Sequence, residues 1–234
     1  LGLLGMAGYP FSGAEADAPG YMQRLEIDQN YSAVSAACLM VRRALYAELG
    51  GMDAEAFPLF CGDIDVCLRA RAAGYLTVWT PHAVLLHEKG ATLAAAPPET
   101  FYEQRTQAQN EMYRRWLPAL AHDPAYNLNL SLKSTELAVE TDTRLNWNPL
   151  PWRPLPVVLA VHADNFGCGH YRIIHPGQGM TQAGLADVRV SEYHYGPIEM
   201  ERLQPDAWVL QRLVLDAPFE MVRRTVPFTQ AFKV

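Results

Sequence analysis

Two aspartates and one histidine between positions 62 and 87 carry side chains that can take part in acid–base or metal chemistry. Asp63 and Asp65 lie in the first turn of a predicted helix, and His87 ends a predicted strand. Unpaired N–H groups and the helix dipole favour negative charge at a helix start. A carboxylate that faces a cleft from such a position can accept a proton from a hydroxyl group.

Each of these residues also has an ordinary structural interpretation. Asp65 and Arg69 are four residues apart, which is the spacing of an ion pair on one helix face. Asp63 can serve only to cap the first turn, and His87 can be a surface residue. The spacing therefore predicts a structural role for Asp65 and Arg69 and leaves both alternatives open for Asp63 and His87.

The surrounding pattern predicts the elements that position these residues. Residues 62–73 have helical spacing without proline, and Gly74 is typical of a helix end. The small apolar run 32–41 predicts a buried strand. Further predictions are a short helix at 42–49, strands at 75–80 and 83–87, and a helix at 99–117 with Phe101, Arg105, Ala108, Met112 and Trp116 along one side.

A second pattern begins after a proline-containing stretch. Residues 122–156 have little periodicity and are interpreted as a linker. Strands are predicted at 157–162, 186–191 and 207–211, with a glycine-containing turn at 163–172 and helices at 173–183 and 198–203. This order is the opening of a parallel α/β sheet, so the predicted fold class is α/β throughout.

Composition limits the classes of partner. The 234 residues are half apolar and carry a net charge of −6, which argues against nucleic acid or an anionic membrane as the main partner. No apolar run is long enough to span a bilayer, and no signal peptide opens the chain. The four cysteines form no C-x-x-C pair, so they are interpreted as reduced core residues of a cytoplasmic protein. Because the chain opens on Leu1, we expect a fragment of a longer protein.

The motifs of residues 30–92 resemble the C-terminal half of family 2 glycosyltransferases, which have the GT-A fold. The resemblance rests on the ordered motifs VSAACL (34–39), RR (42–43), GGMD (50–53), DIDVCLR (63–69) and AGY (73–75), followed by Pro81 and His87. Asp63-Ile64-Asp65 also spells D-x-D, but that signature normally follows a hydrophobic strand and here lies in a predicted helix. The family's own D-x-D half would precede this chain.

The resemblance implies a reaction and a set of site residues. Asp63 matches the general base that takes the acceptor hydroxyl's proton in an inverting transfer from a nucleotide-diphosphate sugar. His87 matches a histidine that helps to hold a divalent metal, Mn²⁺ or Mg²⁺, and Asp53 is expected to contact substrate. Where many members have glutamate before the base, this chain has Gly62. The implied domains are a GT-A half at 1–121, a linker at 122–156 and the start of a second domain at 157–234.

The second domain loosely resembles the first strand and turn of GT-B glycosyltransferases of family 4. The residues concerned are 166–172, Pro176 and 206–212, and Arg172 is the expected contact to a phosphate or sugar. The implied partners are a nucleotide-sugar donor and a glycan acceptor, with peripheral membrane association of the full-length protein left open. Two alternatives remain: a non-catalytic carbohydrate-binding or scaffold module, and a nucleotide-binding α/β protein centred on 166–170.

Overall fold

The computed structural model describes residues 1–15, 17–85, 98–146 and 152–234. It contains two compact units, unit 1 (Leu1–Asn127 and Leu132–Ala138) and unit 2 (Leu128–Ser131 and Val139–Val234). The fold class is mixed α/β, as predicted, with a two-stranded antiparallel sheet in unit 1 and a four-stranded parallel sheet in unit 2. The domain limits inferred from the sequence stay predictions.

Unit 1 contains more helix than strand. Its elements are β1 (Gln29–Tyr31), α1 (Arg43–Glu48), α2 (Gly62–Ala72), β2 (Thr77–Trp79) and α3 (Pro98–Ala121), with 3-10 helices at Leu3–Gly5, Tyr21–Gln23 and Ala36–Cys38. The two strands pair antiparallel, with Asn30 opposite Val78. The predicted helices at 42–49, 62–73 and 99–117 are therefore confirmed to within a few residues.

The strand predicted at 32–41 is wrong. Within this range, Ala36–Cys38 form a 3-10 turn, and the Ser35 hydroxyl accepts a hydrogen bond from the N–H of Ala37. Such side-chain acceptors compete with strand pairing for backbone N–H groups. Of the strand predicted at 83–87, residues 83–85 form no strand and residues 86 and 87 lie outside the described part of the chain.

Helix α3 supplies much of the core of unit 1. Ala108 and Met112 are buried as its periodicity predicts, whereas Arg105 on the same predicted side is exposed. The helix continues past Pro118 to Ala121, and its last turns bury Leu117 and Leu120. The apolar face of α3 is therefore longer than the sequence pattern indicated.

Unit 2 is an open parallel sheet with connecting helices. Its elements are β3 (Val157–Val161), α4 (Gly167–Gly169), a π-helical turn (His170–Ile174), α5 (His175–Gln182), β4 (Asp187–Ser191), α6 (Pro197–Leu203), β5 (Ala207–Leu210), α7 (Asp216–Thr225), a 3-10 turn (Val226–Phe228) and β6 (Phe232–Lys233). The strand order is β4-β3-β5-β6, and every neighbouring pair is parallel. The three strands predicted from 157 onward are confirmed, and α7 and β6 are additional.

The core of unit 2 is apolar and centred on the sheet. Leu159 and Trp208 on neighbouring strands are completely buried, and Leu203 of α6 packs with them. Gly177 allows α5 to approach β4, because a Cβ atom there would lie 2.9 Å from Cγ1 of Val188. Leu145, from the segment interpreted as a linker, is also part of this core.

The predictions about membrane spans and cysteines can be compared with the structure. In the described ranges, no helix is both long and apolar enough to cross a membrane. All four cysteines are free thiols, but only Cys61 and Cys67 are buried. The interpretation of Cys38 and Cys168 as core residues is wrong, because both are exposed to solvent.

Candidate functional site

Asp63 lies in the first turn of α2, which starts abruptly after a strained residue. Cys61, immediately before the helix, has a φ of +68°, in the left-handed region that residues other than glycine rarely adopt. Its thiol is buried, and burial together with the nearby Asp63 raises the Cys61 pKa to about 12. A protonated thiol at neutral pH makes Cys61 a packing residue rather than a nucleophile.

The Asp63 carboxylate joins the start of α2 to the 3-10 turn. Its Oδ2 accepts a hydrogen bond from the N–H of Ala36 at 2.9 Å, and its Oδ1 accepts one from the N–H of Ile64 at 2.9 Å. Asp63 is partly exposed, and the small residues Ala36–Cys38 beside it are exposed. An ionised carboxylate has about four acceptor positions, so both oxygens retain capacity to accept a further proton or hydrogen bond.

Asp65, two residues further on, has a different environment. It is completely buried, and its Oδ2 accepts from Nε of Arg69 at 2.7 Å, which confirms the predicted ion pair. Its Oδ1 accepts from the indole Nε1 of Trp116 at 2.9 Å and lies 3.5 Å from Nη1 of Arg115. With all these partners, Asp65 is a structural residue.

Arg69 extends this network to the loop that follows α1. Its Nη1 donates to the carbonyl of Leu49 at 2.5 Å, and its Nη2 donates to the carbonyl of Gly51 at 2.7 Å. Gly51 has a φ of +72°, so glycine is favoured at this bend. The network therefore fixes the loop that carries Asp53 relative to α2.

Asp53 is held by this loop and by α3. Its Oδ1 accepts from the N–H of Ala56 at 3.0 Å, and its Oδ2 accepts from Nη2 of Arg115 at 2.8 Å. The hydrogen bond from Ala56, and then that from Arg115, lower the pKa of Asp53. Arg115 also contacts Glu111 and lies over the ring of Phe57, 5.1 Å from its centroid.

A groove of about 1030 Å³ lies between residues 53–56 and one face of α3. Its lining residues are Asp53, Glu55, Ala56, Tyr102, Glu103, Thr106, Gln107, Asn110, Glu111, Arg114 and Arg115. Asp53 thus contributes to a concave surface, whereas Asp63 does not line it. Arg115, which contacts both Asp53 and Asp65, links the Asp53 loop to the helix that carries Asp63.

The divalent-metal site stays a prediction. His87 lies outside the described residues. Over residues 1–15, 17–85, 98–146 and 152–234, no group of three His, Cys, Asp or Glu side chains is placed to hold a metal ion. The described residues alone therefore do not form the divalent-metal site that the family resemblance implies.

Arg172, the predicted contact of unit 2, is exposed on the π-helical turn. The predicted glycine turn is instead helical from Gly167 onward. Oδ1 of Asp164 accepts hydrogen bonds from the N–H groups of Phe166 and Gly169, both at 3.0 Å. Gly169 must be glycine because a Cβ atom there would lie 1.8 Å from the carbonyl oxygen of Asp164. Gly169 thus has a packing explanation, and the carboxylate of Asp164 occupies the helix start.

The sequence interpretation assigned no site role to Arg115, to Trp116 or to the polar face of α3. Glu111 and Arg115 are four apart, so an ion pair between them was detectable in the sequence. The contacts of Trp116 and Arg115 to Asp65 span about fifty positions, and no local pattern indicates them. The groove itself depends on how the 53–56 loop packs beside α3.

Known proteins resemble parts of this chain. It is 39% identical over 144 residues to the uncharacterized protein y4gI of Sinorhizobium fredii, covering 60% of this chain and 16% of that protein. It is 34% identical over 138 residues to the O-antigen biosynthesis protein RfbC of Myxococcus xanthus, covering 58% of this chain and 10% of that protein.

A third relative matches a shorter part. The N-acetylglucosaminyl-diphospho-decaprenol L-rhamnosyltransferase of Mycobacterium tuberculosis is 36% identical over 64 residues, covering 27% of this chain and 20% of that enzyme. No family model matches the sequence, and no solved structure matches it significantly. The chain spans only a tenth to a sixth of the length of the two longer-matching relatives.

Proposed function

We propose that this chain is part of a glycosyltransferase of glycan synthesis that uses a nucleotide-sugar donor and a hydroxyl acceptor. Two kinds of relative support this class: one is named for O-antigen biosynthesis and another is named a rhamnosyltransferase. The motif resemblance around Asp63 points to the same class. The activity belongs to the whole protein, of which this chain contributes the residues described above.

The observation that carries the proposal is the contrast between Asp63 and Asp65. Both are carboxylates at the start of α2, but Asp65 is completely buried and has three side-chain partners. Asp63 is partly exposed and lies beside an exposed turn of small residues. Among the described residues, its side chain accepts hydrogen bonds from the backbone N–H groups of Ala36 and Ile64 alone. A general base must reach its substrate, and Asp63 meets that requirement while Asp65 does not.

The proposed step is a single displacement at the sugar's anomeric carbon. The acceptor hydroxyl oxygen forms the new bond to that carbon, and the bond from the carbon to the diphosphate oxygen breaks. The Asp63 carboxylate takes the hydroxyl proton, and the nucleoside diphosphate leaves with the bonding electron pair. The configuration at the carbon is therefore inverted.

The remaining parts of the proposal concern the metal and the place of reaction. Mn²⁺ or Mg²⁺ would neutralise charge on the leaving diphosphate, with His87 as one ligand. Because the described residues do not complete such a site, none of the steps assigned to this chain depends on the metal. We place the reaction in the cytoplasm, where nucleotide sugars are available, with peripheral membrane association of the full-length protein left open.

The test is Asp63→Asn in the protein at its full natural length. Loss of the proton acceptor should lower turnover by about 10²- to 10⁴-fold. Asparagine keeps an oxygen that can accept from Ala36 or Ile64, so the denaturation midpoint should change little. Asp65→Asn is the matched control, because the same chemical change there should lower stability instead. Unchanged turnover in Asp63→Asn would exclude Asp63 as the base.

A second candidate is the non-catalytic carbohydrate-binding or scaffold module. It is favoured by the hydrogen bonds that both Asp63 oxygens already accept, which are sufficient for a structural role, and by Gly62 in place of a second carboxylate. Under this alternative, Asp63→Asn alters only stability, and the wild-type full-length protein transfers no sugar from any nucleotide donor. The same experiment therefore separates the two functions.

A further inference from the structure

The groove of unit 1 has side-chain hydrogen-bonding groups that pair with none of the described residues. Glu103, Thr106, Gln107 and Asn110 lie three or four residues apart, so they form one continuous face of α3. All four are exposed, and their side chains make no hydrogen bond to any residue that the structure describes. Surface side chains are often unpaired, but here they line one side of a concavity of about 1030 Å³.

The base of the groove is fixed by ion pairs. Arg115 bonds Asp53 across the groove at 2.8 Å and Glu111 on its own helix at 2.6 Å, and it lies 3.5 Å from buried Asp65. Arg69, through the carbonyls of Leu49 and Gly51, holds the loop on the other side. The concave shape therefore does not depend on a ligand, as is common for binding sites.

The chemistry of the lining favours one ligand class. The amides of Gln107 and Asn110 each offer two donors and an acceptor in a plane, which matches neighbouring hydroxyl groups that both donate and accept. Tyr102, at the same helix face, is 66% exposed and presents a ring surface. Four carboxylate and two guanidinium groups line the groove, so its net charge is negative and disfavours phosphate.

We propose that this groove binds a saccharide segment, uncharged or cationic, at a site separate from Asp63. Planar amides and carboxylates would bond sugar hydroxyls, and the ring of Tyr102 would cover an apolar sugar face. The inference adds a second site to the proposed function, and it requires only binding. Its failure is therefore distinguishable from failure of transfer by Asp63.

The test is an NMR titration of the isotope-labelled 234-residue chain with chitotetraose, a rhamnose tetrasaccharide and UDP, each to about 10 mM. At least one saccharide should shift the side-chain amide signals of Gln107 and Asn110 in a saturating manner. UDP should not shift them. The double variant Gln107→Ala with Asn110→Ala should weaken saccharide binding about tenfold, because two bonding amides are lost.

Gln104→Ala is the matched control, because Gln104 is on the same helix but does not line the groove. It should bind the saccharide as the wild-type chain does. Absence of shifts with both saccharides, shifts with UDP alone, or equal weakening by Gln104→Ala would each overturn the proposal. A measurement of the denaturation midpoint of each variant keeps unfolding from being mistaken for loss of binding.

Discussion

Both units bury apolar side chains, and unit 1 adds a completely buried carboxylate to them. In unit 1, a completely buried carboxylate, Asp65, bonds Arg69 and Trp116 and lies near Arg115. In unit 2, the core beside the sheet is apolar, and Leu159 and Trp208 are completely buried on neighbouring parallel strands. A buried charge needs every partner in place, whereas an apolar core depends mainly on volume and shape.

This difference bears on function. The network around Asp65 connects α2, which carries Asp63, to the loop that carries Asp53 and to α3, which lines the groove. Directional bonds position side chains more precisely than dispersion contacts do. We infer that the buried polar groups of unit 1 position the elements that carry the two candidate sites. The apolar groups of unit 2 stabilise its sheet.

The largest expected effect comes from breaking the polar network. Asp65→Ala removes the partner of Arg69 and leaves the indole N–H of Trp116 without an acceptor. Loss of one member of a buried ion pair costs about 3–5 kcal/mol. Native-state hydrogen exchange, which reports opening region by region, should show this loss in α2 and α3 and little change in β3 and β5. An equal loss in all four elements would show that the units do not unfold separately.

The second prediction tests the apolar core. Leu159→Ala removes a completely buried side chain and should lower the stability of unit 2 by about 3 kcal/mol through lost burial and a cavity. Val158→Ala is the matched control, because Val158 is the neighbouring residue of β3 and only partly buried. It should have the smaller effect. If Val158→Ala is as costly, the described core of unit 2 is misplaced.

The same difference explains what the sequence could predict. Strands β3 and β5 follow from apolar runs, and β4 follows from the alternation of polar and apolar residues in Asp187–Ser191. Helix α2 follows from helical spacing that ends at Gly74. Local patterns are sufficient there because the residues that favour each element lie within it or directly beside it in the sequence. The pairing of Asp65 with Trp116 and Arg115 joins residues far apart in the chain, so among the contacts of Asp65 only that with Arg69 was predictable.

Two further failures have physical causes. The run 32–41 has strand-like composition, but hydrogen bonds to Ser35 and Asp63 fold part of it into a turn. Glycines at 167 and 169 suggested a ligand loop, whereas Asp164 occupies that helix start. For the candidate site, the sequence predicted Asp63 and Asp53, but their environments required tertiary contacts.

The smallest expected effect concerns a polar contact in unit 2, the hydrogen bond that the hydroxyl of Tyr195 donates. It donates to Oδ2 of Asp142 at 2.5 Å, and Asp142 is also paired with Arg144 at 2.7 Å. Burial, and then this hydrogen bond, raise the pKa of Tyr195 from 10.0 to about 12. A raised folded pKa means that the stabilisation is present below pH 10 and is lost as pH rises toward 12.

Tyr195→Phe should cost about 1.5 kcal/mol at pH 7, because one hydrogen bond to a charged group is lost and Arg144 still pairs Asp142. Urea unfolding across pH should show this cost shrinking above pH 10, whereas a constant difference would mean that Tyr195 ionises as freely in the fold as in the unfolded chain.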